Sequence, residues 1–140
     1  MTSRIGRAMR TLVPVACLAA TVASATHSVD TRFTVLGFVR DHDGRPMSDR
    51  RVEVVRERTG FAFRGRTDGG GFYVVVAWVR DEDRGDRLRV QVNGTSLRVS
   101  ATFDPSDRRS ERGTRVDFTG ARAVEVAEAF ETTLRSFLGR

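Results

Sequence analysis

From residue 33 to residue 118 apolar and polar positions alternate in short runs, each closed by a cluster of turn residues. Period-two alternation over runs of this length is the pattern of half-buried strands. It predicts strands at 33–40, 51–56, 61–66, 72–79, 88–92, 97–101 and 114–118. Between the fifth and sixth lies Asn93-Gly94, the pair that suits a two-residue hairpin turn. The richest strand former is 72–79, which follows the polar turn Thr67-Asp68-Gly69-Gly70-Gly71 and is apolar enough to be central. The expected core comprises Phe33 or Val35, Phe38, Val52, Val54, Phe61, Phe63, Val74, Val76, Trp78, Val90, Val92, Leu97, Val99 and Phe118. Seven short strands with no helix between them predict an all-β antiparallel sandwich over 33–118.

The period changes in the tail. Ala123, Val126, Ala127, Phe130, Leu134, Phe137 and Leu138 fall on one helical face, with Glu125, Glu128, Glu131 and Arg135 opposite. The spacing predicts a C-terminal amphipathic helix within 119–140. Its apolar face must be covered, by its own sheet first, because intramolecular burial avoids the cost of bringing two molecules together. Phe130, Leu134 and Phe137 are the residues through which it would otherwise hold a partner.

At the other end, Arg4, Arg7 and Arg10 precede an apolar run from Leu12 to Ala23 that closes in Ala23-Ser24-Ala25. A basic start, a short apolar centre and a small-x-small ending describe a secretory signal peptide over 1–25, cleaved after Ala25, with a polar leader at 26–32. The run is shorter than the ~20 apolar residues that cross a bilayer. The mature protein is therefore expected to be exported, periplasmic or extracellular, and not integral to the membrane. The single cysteine, Cys17, lies within that segment, so the mature domain would hold no disulfide and rest on its core alone.

Charge adds little at this level. The full chain carries +6, and removal of Arg4, Arg7 and Arg10 with the signal peptide leaves +3. Arg50-Arg51 and the arginines at 108, 109, 112 and 115 are interleaved with Asp49, Glu53, Asp104, Asp107 and Glu111, and no aromatic platform for bases accompanies them. Solvated faces are the expectation, and nucleic acid is not an expected partner.

Two motifs resemble those of one family. Gly37-Phe38-Val39-Arg40-Asp41-His42-Asp43-Gly44-Arg45-Pro46 resembles the G-x-V-x-D-x-x-G-x-P opening of carboxypeptidase regulatory-like domains, and Thr67-Asp68-Gly69-Gly70-Gly71-Phe72-Tyr73 resembles their T-D-x-x-G-x-Y signature. The resemblance covers residues 33–99 and implies a seven-stranded, transthyretin-like sandwich of the kind found as non-catalytic modules of exported proteins. It also implies that the polar loop and the helix after Val99 are where this chain departs from the pattern.

Chemistry-bearing residues are few. The histidines, His27 and His42, stand at no metal or general-base spacing. The transthyretin-like fold also hosts a 5-hydroxyisourate hydrolase with a C-terminal tyrosine-arginine-glycine-serine motif, which Ser136-Phe137-Leu138-Gly139-Arg140 does not match. The expectation is a non-enzymatic module without a cofactor that binds a protein or a cell-envelope component. The alternative is a domain that takes Ca²⁺, a carbohydrate or another small ligand through the acidic loop 81–86, with Asp81, Asp83 and Asp86 as the metal's oxygen ligands. Asn93-Gly94-Thr95 also fits a glycosylation sequon, but a hairpin turn is the simpler reading.

Overall fold

The structure is a computed structural model and describes residues 31–140. The expected signal peptide, with Ala25 and Cys17, and the leader through residue 30 lie outside the described residues. Eight strands follow in order: β1 (Arg32–Arg40), β2 (Arg51–Arg56), β3 (Phe61–Arg66), β4 (Phe72–Trp78), β5 (Arg87–Val92), β6 (Thr95–Ser100), β7 (Gly113–Thr119) and β8 (Arg122–Glu125). Among the described residues a single α-helix follows, α1 (Phe130–Leu138). One sheet has the order β4-β1-β7-β8 and the other β3-β2-β5-β6. Their facing sides bury one core, with Phe33, Val35, Tyr73, Val75, Val116 and Phe118 from the first sheet meeting Val52, Val54, Leu88, Val90 and Val99 from the second.

Three expectations need correcting. The sandwich has eight strands, not seven, and it is not wholly antiparallel, because β1 pairs parallel with β7, Val35 opposite Thr114 and Val39 opposite Phe118. A parallel neighbour needs a crossover, and the polar stretch between β6 and β7 carries the chain from one sheet to the other. That stretch is shaped by its own carboxylates: Asp104 Oδ1 accepts from the Ser106 N–H at 2.9 Å, and Asp107 Oδ1 from the Arg109 N–H at 2.9 Å.

The tail is the second correction. Ala123 does not lie on the helix but on β8, which folds back on β7 after Gly120 at φ +57°. The helix proper begins only at Phe130, after a 3-10 turn at Ala127–Ala129, and ends at Gly139 in the left-handed conformation. Apolar residues at 123, 126 and 127 suit either period, and the hairpin wins because β7 offers a paired edge, with the Val126 N–H donating to the Arg115 carbonyl at 2.8 Å.

The third correction is the face of β4. Tyr73, Val75, Ala77 and Val79 point into the core, whereas Val76 and Trp78 are exposed and Val74 is half-buried. This strand is apolar at both parities, so alternation could not choose. What chooses is the Tyr73 hydroxyl, buried and donating to the Val116 carbonyl at 2.7 Å. Phe61 is likewise exposed, and Phe38, Phe63 and Leu97 are only partly buried.

The turn before β4 ties three segments together. Asp68 Oδ1 accepts from the N–H groups of Gly70 and Phe72, both at 2.9 Å. Thr67 Oγ1 donates to the Met47 carbonyl at 2.6 Å and accepts from the Arg50 N–H at 2.9 Å. Gly71, at φ +74°, brings its carbonyl within 2.8 Å of the Val39 N–H, and a Cβ there would lie 2.5 Å from the Val39 carbonyl oxygen.

Candidate functional site

β3 and β4 form the same edge of the sandwich, one in each sheet. Beside the turn they approach closely: a Cβ on Gly65 would lie 3.0 Å from the Val74 carbonyl oxygen. At the far end they splay and leave a cleft of about 640 Å³. Phe61, Phe63 and Trp78 line it, with Arg56, Arg58 and Arg80 around them. Phe61 is 62% exposed and Trp78 57%, although both are large apolar groups that folding normally buries. The rings of Phe61 and Phe63 are tilted against each other at 5.0 Å, so the pair forms one apolar wall.

The floor of the cleft is ionic and explains the acidic loop. A 3-10 turn at Asp81–Asp83 presents Asp83 to Arg56 at 2.7 Å, and Asp86 meets the same guanidinium at 2.6 Å. Arg58 reaches both carboxylates from the outside, its Nε 3.2 Å from Asp86. The Arg56 hydrogen bond holds the Asp83 carboxyl below its usual range. Burial opposes the charge on Arg56, yet the bonds from Asp83 and Asp86 outweigh it and raise its pKa. Asp81 turns the other way, to the buried Arg112 at 2.7 Å, whose guanidinium lies over the Phe103 ring.

The three aspartates named from the sequence as calcium ligands therefore do not converge. Asp83 and Asp86 share Arg56, Asp81 serves Arg112, and among the described residues no group of three His, Cys, Asp or Glu side chains stands close enough to hold an ion. Guanidinium groups occupy the oxygens a cation would need. Sequence spacing showed the acids but not the arginines, which come from β2 and from the loop before β7.

The helix residues proposed for a partner divide. Phe130 is buried on its own sheet against Gly113, where a Cβ would collide with its ring. Leu134 is half-buried, and Phe137, although 56% exposed, packs on Phe72 at 5.2 Å. Arg115 locks the helix further, donating to Thr133 Oγ1 at 3.1 Å while paired with Asp117 at 2.7 Å. Among the described residues no helix is long and apolar enough to cross a membrane. Sequence reasoning missed the cleft because it placed Phe61, Phe63 and Trp78 in the core.

No family model and no curated protein matches the chain. Among solved structures it is similar to the dioxygenase domain of a dioxygenase–carbohydrate-binding protein fusion from Streptomyces sp. SirexAA-E, at TM-score 0.39 and 20% identity over 67% of this chain and 82% of that one. It is also similar to catechol 1,2-dioxygenase from Acinetobacter sp. ADP1, at TM-score 0.38 and 15% identity over 67% of this chain and 45% of that one. A third is 3-chlorocatechol 1,2-dioxygenase from Rhodococcus opacus 1CP, at TM-score 0.38 and 15% identity over 71% and 58%. The chain thus spans about half the length of the two catechol enzymes.

These likenesses correct two expectations drawn from the sequence, that the chain is no enzyme and that it takes no cofactor. The similar structures are dioxygenases. Neither exclusion stands. At these TM-scores the likeness assigns no reaction to this chain; among the described residues no three His, Cys, Asp or Glu side chains are grouped so as to hold a metal ion.

Proposed function

We propose that the protein is an exported binding module of the carboxypeptidase regulatory-like type, and that it holds a partner protein of the cell envelope in the cleft between β3 and β4. The observation that carries this reading is the exposure of Trp78 and Phe61 around one concavity with Arg58 and Arg80 at its rim. Tryptophan and arginine are the residues that most often anchor protein interfaces, and a desolvated pocket is where they do so. A free sandwich edge also lets an extended segment add to the sheet beside such anchors.

The build of the two motifs supports the family part of the proposal. Asp41 Oδ1 accepts from the Asp43 and Arg45 N–H groups, both at 2.9 Å, and Gly44 takes φ +80°. Gly71 takes the turn at φ +74°, and Tyr73 packs in the core with its hydroxyl on the Val116 carbonyl, which supports the same reading. Export rests on the sequence of residues 1–25.

The test is photocrosslinking in the envelope of the host. A photoreactive residue replacing Phe61 should yield a reproducible adduct, and one replacing Ser100, exposed on the opposite sheet edge, should not. The same yield from both positions, or no adduct from Phe61, would count against the cleft as the binding site.

A further inference from the structure

The outward side of the second sheet carries an arginine array that the linear sequence disperses. Arg51 on β2, Arg64 and Arg66 on β3, Arg87 and Arg89 on β5 and Arg98 on β6 all project from it. Three carboxylates answer them: Glu53 pairs with Arg64 at 3.0 Å, Asp49 with Arg66 at 2.8 Å, and Glu57 with Arg98 at 2.9 Å and Arg89 at 4.0 Å. Arg51 and Arg87 have no carboxylate within ion-pair distance among the described residues.

The register makes the array costly. Arg51 stands directly opposite Arg66, and Arg89 directly opposite Arg98. Like charges in facing cross-strand positions destabilise a sheet; Glu57 offsets this between Arg89 and Arg98, and Asp49 at Arg66, while Arg51 has no such partner among the described residues. Concavity adds a second observation: a depression of about 540 Å³ lined by Arg51, Arg89, Gln91, Asn93 and Ser96, with Glu53 held by Arg64 and Gln91 at its wall, adjoins another of about 420 Å³ lined by Arg51, Arg64 and Arg66. Arg51 is common to both, and together they make a groove that runs over the face.

We propose that this groove docks a linear polysaccharide bearing carboxylates. Guanidinium forks match carboxylates in bidentate geometry. The Ser96 hydroxyl, the Asn93 side chain and the Gln91 carboxamide, whose Nε2 donates to Glu53 at 2.9 Å, lie among them, as donors and acceptors for sugar hydroxyls. A polyphosphate offers no hydroxyls for these groups. The outward positions of β2, β3, β5 and β6 hold no aromatic ring for a nucleobase to stack on, and their one large apolar side chain, Val55, is buried and not free to enter a bilayer. The groove lies on a different surface from the aromatic cleft, so the two readings stand or fall separately.

The experiment is isothermal titration of the purified chain with oligogalacturonate, beside neutral dextran of the same length, polyphosphate, and phosphatidylglycerol vesicles. Oligogalacturonate should bind in preference to all three. The double variant Arg51→Thr with Arg89→Gln should weaken it severalfold, up to about tenfold, since each exposed ion pair is worth up to about fivefold. Arg122→Gln, exposed on β8 of the other sheet, should leave it unchanged. Binding of dextran with equal affinity, an unaffected double variant, or tighter binding of polyphosphate or vesicles would overturn the proposal. Should the double variant fail to fold, salt decides with the native chain: raising it to about 0.5 M must release the oligouronate, because exposed ion pairs are screened within a few ångströms there, and salt-insensitive binding refutes the assignment.

Discussion

Asp83 illustrates how a single side chain changes meaning once its neighbours are known. In the sequence it is one of several carboxylates in a short loop; in the fold it is the partner of Arg56. Its pKa lies below the ordinary 3.8 because the charged form accepts that bond. A carboxyl whose folded pKa is depressed contributes stability above its unfolded value, and the contribution is lost as pH falls through the folded one. Asp83→Asn should therefore lower the unfolding midpoint at pH 7, and the gap from the native protein should close as pH falls below about 4. Thermal melts of both proteins from pH 7 to pH 2.5 check this; a gap that stays constant with pH would show that the ion pair contributes nothing. Gly37 shows the same dependence on surroundings. A Cβ there would collide with the Val116 carbonyl oxygen on the neighbouring strand, which the sequence around it does not reveal.

At the scale of elements, α1 is the case where period and packing agree only in part. Helical spacing from Phe130 to Leu138 is real, and the face it defines lies on the first sheet, over Phe72 through Phe137 and over Gly113 through Phe130. Nine residues make too short a helix to persist alone in water, so tertiary contact has to supply its stability. Phe130 is the deepest of those contacts. Phe130→Ala should cost about 3 kcal/mol, as removal of a buried phenylalanine ring generally does. Denaturant titration measures it, and a loss below about 1 kcal/mol would mean that the ring fills no real cavity on the sheet. The β5–β6 hairpin needed no such help: Asn93 at φ +50° and Gly94 at φ +80° close a two-residue turn between Val92 and Thr95.

For the molecule as a whole, β1 is the central piece. It lies between β4 and β7, so its two neighbours come from distant parts of the chain. β7 supplies Val116 and Phe118 to the core, and its backbone accepts the Tyr73 hydroxyl. A chain ended after Arg112 would leave one side of β1 unpaired and Tyr73 without its acceptor. We expect it to show no cooperative unfolding and a collapsed amide spectrum by NMR; a dispersed spectrum would show that the first six strands fold without β7. The two sheets also divide the surface, with aromatics at the β3–β4 edge and arginines on the outer side of β2, β3, β5 and β6.

Strand positions, the Asn93-Gly94 hairpin, the turn at Thr67–Gly71 and the helical tail from Phe130 were legible in the sequence, because each rests on contacts within a few residues: alternation, φ preference, and side chains bonding nearby N–H groups. Which face of β4 turns inward was not, since both of its faces are apolar. Tertiary structure decided it through a hydroxyl whose acceptor lies 43 residues away. It decided the parallel place of β7, the short β8, the arginine partners of Asp81, Asp83 and Asp86, and the gathering of Phe61, Phe63 and Trp78 at one edge. All of these depend on which strands become neighbours, and that choice is made by burying a common core rather than by any local preference of the chain.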